Sequence, residues 1–352
     1  MYSIHTSRAG DLESLSALDI ISKSKESLGF KQRQQKPKGA QKKEPVRNRE
    51  KVKIGNLQNN IYMAEKVLKI GIVGYGHLGR FLVERILNEG GEVGLQLAFV
   101  WNRNTDKLKD SLPKELILHD LSDFTKRATD VIVEVCHPLI VKEFGVRFLS
   151  HANFLVGSPS ALSDPQLEQD LRAAAKQHAK TLYVPSGALW GGQDIQKMND
   201  SGTLQALSIR MSKHPSCFRL TRGLLSHWTE GEGRRVLYNG SVAELCPIAP
   251  NNVNTMAAAA IAASKLGFHG VTGEIVSDTA LADYHLVEVE VTGPDGFSVK
   301  TVRQNPAKLG AVTGNATYNS FWSSLLEVQS ARVTEGECIS AESNGLLQKE
   351  HK

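Results

Sequence analysis

The chain has 352 residues, 41% of them hydrophobic, enough for two domains, and no apolar run approaches the roughly 18 to 20 residues that would span a bilayer. Its formal charge of +5 suggests a nucleic-acid partner until the charge is located: residues 31–53 carry ten Lys/Arg against two Glu, and that +8 leaves −3 for the rest. The body of the protein therefore carries no basic signature, and its four cysteines, Cys136, Cys217, Cys246 and Cys338, are too far apart for zinc-ribbon spacing, so a reducing, cytoplasmic setting without a metal site is expected.

Residues 1–62 lack sustained periodicity, and their Gln/Lys/Arg-rich part cannot bury enough apolar surface to offset ordering, so a disordered basic extension is expected there. Residues 63–200 read as a dinucleotide-binding domain. The apolar run Val67 to Val73 predicts a buried parallel strand. It leads into Gly74-x-Gly76-x-x-Gly79, with Phe81, Leu82, Ile86 and Leu87 following at helical spacing. Strand, tight turn and helix in that order form the context that gives a glycine fingerprint its meaning: backbone approach to a pyrophosphate at a helix N-terminus. His77 and Leu78 lie within that turn and join the three glycines as expected cofactor contacts.

A second strand, Leu95 to Trp101, ends where a ribose would be read. An NAD-specific site usually places a carboxylate there, whereas this chain offers Asn102, Arg103 and Asn104, so NADP is expected to be accepted and preferred over NAD. Val131 to Val135 reads as a third strand and makes Glu134 and His137 candidates for the site. Strands at Asn153–Gly157 and Thr181–Val184 follow, the last running into the glycine-rich segment Pro185–Gly192. Alternation of this kind predicts an α/β, doubly wound Rossmann-type parallel sheet.

From about residue 201 to 310 the strands become longer and alternating, which predicts a second, α+β domain with a mainly antiparallel sheet for substrate binding and dimerisation. A helix over 311–330 is expected to return to the first domain, with residues 331–352 a flexible tail. Within the second domain, Ser277 to His285 is a polar loop ending in a histidine between two strands, a place where a pocket wall is built and where a general base could sit. Asn254 either caps the Ala-rich helix that follows it or holds a cofactor or substrate oxygen.

Six segments in order, G-I-V-G-Y-G-H-L-G, F-V-W-N-R-N, V-G-S-P-S-A-L-S-D, P-S-G-A-L-W-G-G-Q-D-I, A-P-N-N-V-N-T-M-A-A-A and S-D-T-A-L-A-D-Y-H, resemble the L-aspartate dehydrogenase family, and its animal branch most closely. The resemblance implies NAD(P)-dependent oxidative deamination of L-aspartate, with His285 as the active-site residue and Ala188 and Asn254 as cofactor contacts. Two positions depart from the family pattern: the Asn expected two residues before the histidine is Asp283, and the A-A-S turn after the third strand is Val135-Cys136-His137. A dicarboxylate needs fixed cations, for which Lys213, His214 and Arg303 are the candidates. A homodimer is expected from the open second sheet and from the family. The alternatives are a dehydrogenase of another small amino or hydroxy acid, or a non-catalytic redox sensor that holds NADPH.

Overall fold

The computed structural model describes residues 2–4, 67–218, 233–314 and 316–331. The first sheet is built from β1 (Tyr2–Ile4), β2 (Leu68–Val73), β3 (Leu95–Trp101), β4 (Ile117–Leu118), β5 (Val131–Glu134), β6 (Asn153–Val156) and β7 (Leu182–Val184). Its spatial order is β1-β7-β6-β5-β2-β3-β4, and the six strands β2 to β7 run parallel. Helices α1 (His77–Glu89), α2 (Asp106–Lys109), α3 (Pro138–Leu149) and α4 (Pro165–Gln177) connect them. The order of the parallel strands reverses at β2, so a crevice opens at the carboxyl ends of β2, β3 and β5.

Two details differ from the sequence expectation. Tyr2–Ile4, inside the segment expected to be disordered, pairs antiparallel with β7 at the sheet edge; residues 5–62, with the basic stretch, and the tail from 332 lie outside the described residues. The connection after β3 also contains a strand, β4, only two residues long, whose Ile117 and Leu118 are both buried.

The second sheet holds β8 (Ala206–Lys213), β9 (Arg234–Ser241), β10 (Thr272–Asp278), β11 (Tyr284–Thr292) and β12 (Ser298–Pro306) in the order β12-β11-β8-β10-β9. All its pairs are antiparallel except β8 with β10. Helices α5 (Gly192–Ser201), α6 (Val242–Ile248), α7 (Asn254–Ala262) and α8 (Gly267–Gly270) accompany it.

Helix α7 explains how the two sheets are held together. From Thr255 to Ala262 every residue is buried, so it presents no solvent face. One core cluster joins Phe99, Phe148 and Phe154 of the first sheet's layer through Ala257–Ala263 to Ile209, Val287 and Val289 of the second. A last described helix, α9 (316–331), packs Phe321, Trp322, Leu325 and Val328 into the cluster of Ile70, Leu82 and Leu97, and so lies against the glycine-turn layer. None of the described helices is long and apolar enough to cross a membrane.

Candidate active site

The glycine turn after β2 is shaped by steric exclusion. Gly74 takes φ +118°, and a Cβ there would meet Cys136 Cβ at 2.8 Å. A Cβ on Gly79 would run into the carbonyl oxygen of Gly74. Gly76 is different, because the position of its missing Cβ has nothing within 4 Å. The helix it opens, α1, has neither a side-chain cap nor an acidic residue in its first turn. Unpartnered N–H groups facing open space at a helix N-terminus suit a phosphate.

Two cavities open on this region. The first, about 770 Å³, lies at the ends of β3 and β5 and is lined by Asn102, Arg103, Lys107, His119 and His137 among others. Asn102 is committed to the backbone: its Oδ1 accepts the Tyr75 N–H at 3.2 Å and its Nδ2 donates to the Asn104 carbonyl at 2.7 Å. That link ties the end of β3 to the glycine turn and leaves Arg103 exposed on the cavity wall. His137 caps α3 through Nδ1, which accepts the Leu139 N–H at 3.2 Å. Asp120 and Glu143 also line this cavity, but no carboxylate stands at the strand end itself, positions 102 to 104.

Glu134, a site candidate by sequence, lines neither cavity. It is wholly buried and accepts four hydrogen bonds, from the N–H groups of Cys136 (2.7 Å), His137 (2.8 Å) and Ser158 (2.9 Å) and from the Ser158 hydroxyl (3.0 Å). Burial pushes its carboxyl pKa up, and hydrogen bonds from Cys136, Ser158 and His137 oppose that shift. Its position makes it a clamp between the ends of β5 and β6.

The second cavity, about 100 Å³, is where the two sheets meet. Leu78, Gly157 and Ala188 line it from the first sheet's side, and Lys213, Asn254, His285 and Asn305 from the second. Lys213, the last residue of β8, is only 2% exposed, donates from Nζ to the Val312 carbonyl at 3.0 Å, and has Nζ 5.9 Å from the centroid of the Phe218 ring. Burial pushes its pKa down to about 8, and no carboxylate among the described residues is in position to oppose that. His285, 4% exposed, hydrogen-bonds through its ring to the Ala311 backbone, while Nε2 has no partner. Burial, and then the charge of Lys213, lower its pKa to about 4, so at neutral pH the imidazole is uncharged and Nε2 is an acceptor without a partner. Asn254 Oδ1 is likewise unpartnered.

Of the three cations put forward from sequence, only Lys213 lines this cavity. His214 caps the turn after β8, its Nδ1 accepting the Ser216 N–H at 3.2 Å. Arg303 donates to the Gly187 carbonyl at 3.3 Å and so supports the turn that carries Ala188. Asp283, the departure from the family pattern, is exposed and does not line the cavity; its carbonyl accepts the Ala307 N–H at 2.8 Å. Asn305 was missed in the sequence. The signal was there: a hairpin folding about Pro294-Asp295-Gly296 sets 305 opposite 285, and this is the register observed.

A doubly wound parallel sheet, a phosphate-ready glycine turn and two cavities along its carboxyl edge define a protein of the nicotinamide-dinucleotide dehydrogenase class. Comparison with known proteins agrees. Residues 74–185 match the NAD-binding domain of homoserine dehydrogenase, and residues 194–324 match the C-terminal domain of aspartate dehydrogenase. An aspartate dehydrogenase domain-containing protein from Danio rerio is 90% identical over 264 residues, covering 75% of this chain and 96% of its own. An L-aspartate dehydrogenase from Methanocaldococcus jannaschii is 29% identical over 201 residues, covering 56% of this chain and 74% of its own. The crystal structure of aspartate dehydrogenase from Thermotoga maritima has the same fold, with TM-score 0.57 at 21% identity over 74% of this chain and 96% of that one. The chain belongs to the aspartate dehydrogenase family.

Proposed function

We propose that the protein catalyses the NAD(P)-dependent oxidative deamination of L-aspartate, giving iminoaspartate, which water converts to oxaloacetate and ammonia. The observation that carries this reading is a buried Lys213 cation, without a carboxylate, in the same small cavity as a neutral His285 whose Nε2 is free. Burying an unpaired ammonium is costly unless a bound anion joins it.

The residues present fit a nicotinamide dinucleotide: the open space at Gly76 and the uncapped N-terminus of α1 suit the pyrophosphate, Arg103 suits a 2′-phosphate, and Ala188 and the unpartnered Asn254 Oδ1 suit the nicotinamide end. Bound there, the nicotinamide would supply the hydride acceptor. The chain's own residues do the rest. Lys213 pairs with a substrate carboxylate and orients the molecule. His285, uncharged at neutral pH, takes a proton at Nε2 from the substrate amine, releases it to solvent, and then takes a second from the attacking water. NADP is the preferred cofactor on the strength of Arg103. The reading includes a homodimer and a cytoplasmic location, the latter supported by the free thiols Cys136, Cys217 and Cys246.

The direct test is reduced-cofactor formation by the purified full-length chain with L-aspartate and NADP⁺ or NAD⁺. Turnover that falls about 10²- to 10⁴-fold in His285→Ala supports the reading. Cofactor binding without turnover on L-aspartate would sink it and favour a sensor.

A further inference from the structure

Asn305 lies directly opposite His285 in the pairing of β11 with β12, so the two side chains emerge as neighbours on the same face of the sheet. Asn305 is 2% exposed, lines the same cavity, and its Oδ1 has no hydrogen-bond partner. The wall behind it is fitted closely: a Cβ on Gly314 would stand 3.1 Å from Asn305 Cβ. A buried acceptor left open beside another open acceptor, His285 Nε2, is an arrangement that a donor on the ligand resolves.

The pocket's groups divide by chemistry. Lys213 can only donate and matches a carboxylate, while His285 Nε2 and Asn305 Oδ1 both present acceptors. One hydroxyl carries a single hydrogen and can satisfy one of them. One amine nitrogen carries two hydrogens when neutral and three when charged, and can satisfy both. We propose that Asn305 reads the substrate nitrogen: its Oδ1 accepts an N–H from the amine while His285 engages the same atom, which makes the site selective for amino acids over the matching hydroxy acids. This rests on the reading of the cavity as the substrate site, and it adds the residue that separates amine from hydroxyl chemistry.

The test uses the full-length chain loaded with NADP⁺, as wild type, Asn305→Leu and Asn305→Asp. Steady-state rates with L-aspartate, and the reverse reaction with oxaloacetate and varied ammonium, are set beside calorimetric binding of L-aspartate and of succinate, which has both carboxylates and no amine. The expected result for Asn305→Leu is a rise on the order of 10- to 100-fold in KM for L-aspartate and for ammonium, with succinate and cofactor binding unchanged. Asn305→Asp, which keeps an acceptor, should recover most of that loss. Equal weakening of L-aspartate and succinate would mark a merely structural residue and overturn the proposal, as would wild-type KM values in Asn305→Leu. Failure of the functional reading looks different: the wild type would bind cofactor yet neither bind nor oxidise L-aspartate, and the proposal would fall with it.

Discussion

At neutral pH Lys213 carries most of its charge into a cavity where its Nζ donates to a backbone carbonyl and stands over an aromatic ring. Two consequences follow for single residues. Replacing it by methionine keeps the stem and removes the charge, which should cost a carboxylate ligand about 1.5 to 3 kcal/mol, read as a roughly 10- to 100-fold higher KM for L-aspartate. Because the Lys213 charge also helps hold His285 down to about 4, Lys213→Met should move the imidazole pKa upward, and with it the acid limb of the kcat/KM profile. An acid limb that stays in place would mean that burial alone sets the imidazole. Stability follows the same proton. Below about 6.5 the unfolded chain binds it, while the native state binds it only near 4, so stability is lost as pH falls through that interval and His285→Gln should flatten the loss in denaturant titrations. Arg103 makes a separate prediction. With Asn102 committed to the backbone, it is the residue at the end of β3 left to meet a 2′-phosphate, and Arg103→Asp should shift the ratio of kcat/KM values from NADP⁺ toward NAD⁺ by at least tenfold.

Elements place these residues, and Glu134 illustrates how. Its four hydrogen bonds hold the backbone after β5 against the backbone after β6, and thus the wall bearing His137 against the wall bearing Gly157. Glu134→Ala would strand four donors, at about 1 to 3 kcal/mol for each that stays buried and dry, so a marked fall in Tm is expected. Glu134→Gln, which keeps the shape but swaps one acceptor for a donor, should lose less stability while weakening cofactor binding. Cofactor affinity unchanged in Glu134→Gln would limit the clamp to a folding role. The sequence suggested Glu134 as a site residue because a strand end in this fold faces the crevice, and position along the strand does not show which way a carboxylate turns. The glycine turn, the parallel strands β2, β3, β5, β6 and β7 and the location of His285 were all legible, since each rests on local periodicity or a motif. The two-residue β4 and the pairing of Tyr2–Ile4 with β7 were not, because they depend on neighbours distant in sequence. Asn305 required the hairpin register, and the roles of His214 and Arg303 required knowing which backbone groups their side chains reach.

The second sheet raises a question for the molecule as a whole. One of its faces packs Ile209, Val287 and Val289 into the common core, while the other carries Arg210, which pairs with Glu274 at 2.9 Å and Glu288 at 3.4 Å, and Lys300, which pairs with Glu288 at 2.9 Å. On that same outer face Val302, opposite Glu288, is 61% exposed, and Val236, on β9, is 48% exposed. An ion network flanked by uncovered valines on a sheet surface suits an isologous contact, where each copy offers the other the same patch. Light scattering on the eluting protein should then report twice the 38.5 kDa of the chain. Val302→Glu would set a third carboxylate beside Glu288 and Glu290, and should shift the species toward the single-chain mass while leaving the circular dichroism spectrum intact. A wild-type protein that elutes at 38.5 kDa across the accessible concentration range would sink the homodimer. The His285 cavity lies on the opposite side of this sheet, so a Val302→Glu monomer that still oxidises L-aspartate would show that each copy carries a complete site.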